Sequence, residues 1–391
     1  MPQATELANS AGRIAIMVGS GHVPGINAVI KGAALSAKNV GRQLIGIRDG
    51  FDGLLYPDRY PDGGLLAFTP EMVETMDPTG AGLIGQAPRV DPFHVRRVND
   101  DGMVEEVDMS GDLLNRLRAE NVDALIAVVG GRGLSIISKL HRKGLNAVCI
   151  PRSIENEIAA TAVSFGFNSA LSFTIEMLDR VRQAAQSARK VAVVEVLGEQ
   201  AGWIALQAGI AVGADVVLIP EIPCDLKAVA ARLQDRMSTR RPFAMVVVAE
   251  GARFMDNAQP PSKPSSLKAS LSPLAAGEAS DFVIRRSGHA ADTVATGLQL
   301  LMAEETFPLV LGPWVRGGAP TAVDRQLALA YGVGAVQAIQ AGDFGSMVAF
   351  VPPDVKFVPL MQSINKIRTV PADSEFMKIA HSLGILLGRE S

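Results

Sequence analysis

Apolar residues in this chain gather in short unbroken runs. RIAIMV (13–18), QLIGI (43–47), DALIAVV (123–129), NAVCI (146–150), VAVVEV (191–196), DVVLI (215–219), AMVVVA (244–249) and MVAFV (347–351) each read as a strand. A run that is apolar at both even and odd positions suits a strand covered on both faces, as in a parallel sheet. The stretches between them have helical spacing and predict helices near 24–38, 110–120, 133–143, 168–189, 200–212, 225–240, 288–304 and 321–341. Alternation of strand and helix predicts an α/β protein with parallel sheets flanked by helices. Eight or more strands over this length fit two such sheets better than one. Residues 255–280 break the pattern. They are rich in Pro, Ser and Ala and predict a long surface loop between a strand and a helix.

Composition narrows the classes. Of 391 residues, 48% are hydrophobic and 20% charged, which supports a sizeable core and excludes a disordered chain. The net charge of −3 argues against a protein held to nucleic acid by bulk charge. Cys149 and Cys224 lie far apart in apolar surroundings, with no disulfide framework and no zinc spacing. The N-terminus lacks a signal-peptide core, and no apolar run approaches the ~18 residues of a membrane span. The expectation is a cytoplasmic protein with no membrane and no nucleic-acid partner.

In open α/β sheets, ligands bind outside the carboxyl ends of the strands, so the turns there carry the candidate chemistry. The first strand leads into Gly19-Ser20-Gly21-His22-Val23-Pro24-Gly25-Ile26-Asn27, either a phosphate cradle at a helix N-terminus or a tight turn. The strand at 123–129 leads into Gly130-Gly131-Arg132-Gly133, and the next into Pro151-Arg152-Ser153-Ile154-Glu155-Asn156-Glu157. Glycines, two arginines, a hydroxyl and two carboxylates at successive strand ends favour a phosphate-handling site. Arginine pairs with phosphate bidentately, and a carboxylate there can act as a base or hold a metal. Glu195, inside an apolar strand, needs a buried partner, either across a domain interface or on a ligand.

These segments resemble the phosphofructokinase family nearly end to end. GSGHVPGIN is similar to the family's GGDAPGMN loop, and GAGLIGQAPR to its Gly-Gly-Thr…Leu-Gly-Ser-x-Arg segment. GGRG stands for GGDG or GGDD, and PRSIENEI for PGTIDNDI or PKTIDNDI. VVEVLGEQAG resembles VVEVMGRxxG, VVAEGA the strand-end motif of the diphosphate-dependent branch, and LGPWVRGGAPTAVDR the pattern LGxxQRGGxPxxxDR. The resemblance implies two parallel-sheet Rossmann-like domains. One covers 1–166 plus about 317–362 and binds the phosphate donor. The other covers 167–316 plus about 363–391 and takes the sugar-phosphate side. It also implies magnesium, a sugar-phosphate-like acceptor and a homo-oligomer in which a neighbouring subunit adds contacts.

Carried over position by position, the resemblance makes Glu155 the base and Arg316 its partner in phosphoryl transfer. Gly21, Arg89, Gly131, Arg132, Gly133, Arg152 and Ser153 would hold the donor. Ser153, Glu157, Lys190, Leu197, Gly198, Glu250 and Arg316 would hold the acceptor, with Glu157 as a metal candidate. The departures bear on chemistry. Arg132 replaces the metal-binding aspartate, Glu199 an arginine, His22 an acid, and Lys190, Phe307 and Pro313 replace residues that grip the 6-phosphate. Gly133 follows the nucleotide-dependent branch, whereas Arg152, in the place of a lysine, and VVAEGA point to diphosphate, which is the favoured donor. Two readings follow: a phosphotransferase with altered acceptor specificity, or a non-catalytic paralogue that binds phosphate ligands or an active subunit.

Overall fold

A computed structural model of the chain describes residues 12–80, 82–86, 91–99, 102–239, 242–255 and 288–389. In chain order the strands are β1 (Arg13–Val18), β2 (Leu44–Ile47), β3 (Leu65–Ala67), β4 (Val95–Val98), β5 (Val104–Val107), β6 (Val122–Val129), β7 (Ala147–Ser153), β8 (Phe165–Gly166), β9 (Val191–Val196), β10 (Val216–Leu218), β11 (Ala244–Ala249), β12 (Thr306–Val310), β13 (Ser346–Val351) and β14 (Asp354–Pro359). The longer helices are α1 (Ile26–Asn39), α2 (Ser110–Ala119), α3 (Gly131–Arg142), α4 (Phe167–Ala188), α5 (Trp203–Val212), α6 (Leu226–Met237), α7 (His289–Leu301), α8 (Ala322–Ala341) and α9 (Glu375–Ser382).

The chain divides into two compact units. One comprises the residues up to Ile154, Ile158–Gly166 and Gly318–Lys366; the other comprises Glu155–Glu157, Phe167–Gly317 and the chain from Ile367 on. The first unit is built on an eight-stranded sheet in the order β14-β13-β7-β6-β1-β2-β3, with β8 beside β7. Its central strands are parallel, and β3 and β14 close the two edges antiparallel. The apolar runs of β1, β6 and β7 are fully buried, as strands covered on both faces must be. Met17, Ile45, Leu125 and Cys149 pack there against Ile137 and Leu140 of α3. The second unit has a four-stranded, all-parallel sheet in the order β10-β11-β9-β12. Val191, Val193, Val216 and Val246 meet Val229 and Leu233 of α6 and Val294 of α7 in its core. Burying a side chain of this kind contributes roughly 1.5–3 kcal/mol.

Several strands escape the apolar-run criterion for physical reasons. β12 contains Pro308 and lies at a sheet edge, where a missing N–H is tolerated. β4 and β5 pair Arg96 with Glu106 and Arg97 with Glu105, an exposed hairpin of charged cross-strand pairs. The tripeptide Glu155–Glu157, expected in the donor domain with the rest of its loop, packs with the second unit instead. Of the segment expected as a surface loop at 255–280, only Met255 lies within the described residues, and it is exposed. Among the described residues no helix is long and apolar enough to cross a membrane. Cys149 and Cys224 are buried free thiols.

Candidate functional site

In the first unit, the glycine-rich turns follow β1 and β6. Gly21 (φ 85°) and Gly25 (φ 106°) take a left-handed backbone as the chain reverses into α1. β6 passes through Gly130 into α3, whose first turn has no side-chain cap and no acidic residue. Gly131 opens that helix with free space around its Cα. Arg132, in the same turn, is exposed. A Cβ on Gly133 would lie 2.5 Å from Val129 Cβ. Packing against Val129 therefore favours glycine there, whatever its part in holding a donor.

Arg152, 7% exposed on β7, donates from Nη2 to the Ser20 carbonyl, so its guanidinium joins the Gly19–Gly25 turn. Burial, and then the charge of Arg152, lower the pKa of His22, so this imidazole is neutral at pH 7. Gln86 Nε2 lies 3.5 Å from His22 Nδ1. Ser153 is buried at the end of β7. Val18 pairs with Val128 and Val129 with Pro151 in parallel register, so the first unit brings the turns that bear Gly21, Gly131–Gly133 and Arg152–Ser153 to the same end of its sheet. Arg89 lies outside the described residues.

The second unit gathers the carboxylates. β9 and β11 run parallel with Val196 opposite Ala249, so Gly198 and Glu250 leave the sheet side by side. Gly198 (φ 146°) donates its N–H to Glu250 Oε1 at 3.4 Å. A Cβ there would lie 2.8 Å from the Ala201 carbonyl oxygen, so the turn requires glycine. The next N–H, of Glu199, donates to Glu155 Oε2 at 3.3 Å. On its other oxygen, Glu155 Oε1 lies 3.4 Å from Arg316 Nη2, at the end of the 3-10 turn Gly312–Arg316. These bonds to the turn after β9 and to Arg316 tie the tripeptide to the second unit.

Burial, followed by the charge of Glu157, pushes the Glu155 carboxyl up to about 8; Arg316 and the Glu199 N–H act in the opposite direction. Glu250 is raised by burial, opposed first by the Gly198 N–H. Glu155, Glu157, Glu199, Glu250 and Arg316 therefore form one electrostatic group. Its basic carboxyl is oriented on both oxygens and suits proton abstraction.

Other expectations change. Glu195, 2% exposed, accepts from Gly288 N at 2.6 Å and Ala291 N at 2.9 Å. It caps α7, where a carboxylate meets the positive end of the helix dipole, so the partner its burial requires is a helix N-terminus within its own unit. Lys190 does not join the acceptor group. It precedes β9 at the end opposite Gly198 and pairs with Glu305. The Leu197 side chain is packed into the interior at 7% exposure, which leaves only its main chain for an acceptor. Sequence reasoning missed Arg368, whose N–H donates to the Glu157 carbonyl at 2.8 Å. No local spacing signals a contact between residues so distant in the chain.

The donor set does not fit a protein-held magnesium at Arg132, since a guanidinium offers no oxygen ligand. Among the described residues, no three His, Cys, Asp or Glu side chains converge as they would around a metal ion.

Comparison with known proteins identifies the family. A relative from Chloroflexus aurantiacus named ATP-dependent 6-phosphofructokinase is 36% identical over 98% of this chain and 100% of its own length. One from Amycolatopsis methanolica named pyrophosphate–fructose 6-phosphate 1-phosphotransferase is 34% identical over 92% of this chain and 97% of its own. The solved phosphofructokinase of Saccharomyces cerevisiae superposes with a TM-score of 0.69 at 27% identity, covering 90% of this chain and 45% of that longer one. The family profile described as phosphofructokinase matches residues 13–339, spanning the glycine-rich turns, the Glu155 loop and Arg316. On sequence, fold and the order of its strand-end motifs, the chain belongs to the phosphofructokinase family.

Proposed function

We propose that this chain is a phosphofructokinase-type phosphotransferase, moving a phosphoryl group from diphosphate or ATP to a hydroxyl of fructose 6-phosphate or a related acceptor. The observation that carries this reading is Glu155, a basic carboxyl fixed by the Glu199 N–H on one oxygen and Arg316 on the other. Glu155 takes the hydroxyl proton as the acceptor oxygen bonds to the terminal phosphorus of the donor. The bond from that phosphorus to the donor's bridging oxygen breaks, and phosphate or ADP leaves with the electron pair. Arg316 stabilises the charge on the moving group.

Diphosphate is the preferred donor in this reading. Arg152, whose guanidinium reaches the Gly19–Gly25 turn, supplies a cation for a terminal phosphate and crowds a nucleotide's α-phosphate. The names of the relatives divide between the two donors, so both belong in the assay. For the acceptor, Glu157, Glu199 and Glu250 surround the base and disfavour a dianion, while Lys190 lies away from them. Fructose 6-phosphate should therefore be a weak acceptor beside a less charged polyol. Lys190 could contribute only through a second copy of the chain. A homo-oligomer is consistent with the exposed apolar surface at Leu300 and Trp314.

Arg132 takes over part of the electrostatic role of the family's metal, and Glu157 is the weaker candidate for a carboxylate contact to magnesium carried in by the donor. Arg132→Ala should weaken diphosphate binding about tenfold, the effect of losing one charge-assisted contact. Arg132→Asp should make turnover depend more steeply on magnesium. Unchanged diphosphate affinity in both variants means that Arg132 merely faces water. A second reading, a catalytically impaired paralogue serving as a phosphate-binding or regulatory subunit, draws on the charge reversals at Arg132 and Glu199. Crossing ATP and diphosphate with sugar phosphates and free sugars, with and without magnesium, decides between them. Ligand binding without phosphoryl transfer for any pair favours the second.

A further inference from the structure

The loop that bears Glu155 is gripped from behind by residues with no place in the proposed chemistry. Arg368 donates its main-chain N–H to the Glu157 carbonyl at 2.8 Å and its Nη1 to the Asn156 carbonyl at 3.3 Å. Its guanidinium lies 4.2 Å from the centre of the Trp203 ring, and Trp203 Nε1 returns a hydrogen bond to the Arg368 carbonyl at 2.7 Å. Trp203 is 4% exposed and opens α5, directly after the turn whose Glu199 N–H holds the Glu155 carboxyl. Glu221 closes the circuit, since its carboxylate accepts from Gly202 N at 3.1 Å and Val370 N at 2.8 Å. Side chain and main chain of the base loop are thus both referenced to the start of α5.

The loop bends sharply at this point. Asn156 has φ 59°, a left-handed conformation that asparagine adopts more readily than most non-glycine residues. Both carbonyls that Arg368 satisfies belong to this bend, one on Asn156 and one on Glu157. A guanidinium suits the task. Its planar fork can stack on an indole and donate sideways at the same time, which a lysine ammonium cannot do.

We propose that Arg368, stacked on Trp203 and bracketed by Glu221, is a positioning residue that sets the reach and direction of Glu155. This rests on the reading of Glu155 as the base. A displacement of ~1 Å at a reacting group can lower the rate ~100-fold, so loosening this clasp should act on turnover rather than on binding.

The test compares Arg368→Ala, Arg368→Lys and Trp203→Phe with Glu155→Gln in the full chain. Arg368→Ala should lower kcat about 10- to 100-fold with KM for both substrates within about twofold, and Trp203→Phe by a smaller factor. Arg368→Lys should recover little, because the stack and the fork are both lost. Independently of activity, Arg368→Ala should speed amide exchange in a peptide covering residues 153–158 at least tenfold, with exchange in β9 and β11 unchanged. Unchanged exchange in that peptide overturns the clasp, as does a wild-type kcat in Arg368→Ala alongside a crippled Glu155→Gln. A Glu155→Gln enzyme with wild-type kcat instead removes the base reading, while the exchange result still judges the clasp.

Discussion

Replacing Glu155 with glutamine removes a titration and leaves the shape. The amide oxygen can still accept the Glu199 N–H, but the group is neutral at every pH. In the native chain the carboxyl's ordinary value of 4.5 is lifted to about 8, mainly by burial. The folded state therefore holds a proton that the unfolded chain releases between those values, and stability must fall as pH rises through that window. At ~1.36 kcal/mol per pH unit, the loss reaches about 3 kcal/mol by pH 7 and approaches its limit above pH 8. The glutamine variant escapes it. Thermal unfolding from pH 5 to pH 9 should show wild type and variant melting together at pH 5. They should separate by roughly 9–17 °C at pH 8, where the loss is about 4 kcal/mol, with the variant higher, given roughly 2–4 °C per kcal/mol for a unit of this size. Turnover should move the other way. Wild-type kcat/KM should climb about tenfold per pH unit below about 8, and the variant should lose ~100-fold or more. Parallel melting curves, or a wild-type rate flat from pH 6 to pH 9, would refute the argument that Glu155 is a half-buried, basic carboxyl.

Glu195→Ala should destabilise the second unit by about 2–4 kcal/mol, because two helix N–H groups lose their acceptor, and Glu195→Gln by about 1 kcal/mol; chemical denaturation followed by circular dichroism measures both. Gly133→Ala should cost about 1–3 kcal/mol from overpacking against Val129, without shifting the preference between ATP and diphosphate. A change of donor in that variant would restore a functional role to the glycine.

The strands covered on both faces were legible because burial leaves an unbroken apolar run; β1, β6, β9 and β11 needed nothing more. Strands at the margins were not. The charges of β4 and β5 and the proline of β12 serve exposed or edge positions, which an apolar-run criterion passes over. In the candidate site, the turns were legible as strand ends followed by glycines, and the resemblance supplied their roles. What stayed hidden depends on the third dimension. Lys190 sits one strand length from Gly198 because both flank β9 at opposite ends. Glu195 was open to an interface pair or a ligand contact until α7 was seen to start on its carboxylate. Arg368 meets Asn156 across 212 positions, beyond any local pattern.

The three-residue excursion of Glu155–Glu157 has a consequence for how this chain can be taken apart. The backbone leaves one unit after Ile154, spends three residues in the other and returns at Ile158. It crosses again after Gly166, Gly317 and Lys366. A fragment cut at the longer boundaries to isolate the second unit would lack Glu155 and Glu157 from its acidic group, and one isolating the first would carry them as a stray bulge. Neither piece is a natural product for expression, fusion or permutation. Because its partners Glu199, Arg316 and Arg368 are 44, 161 and 212 positions away from the tripeptide, we expect it to settle late in folding. The proposed base then acquires its partners only once the second unit has folded around the tripeptide.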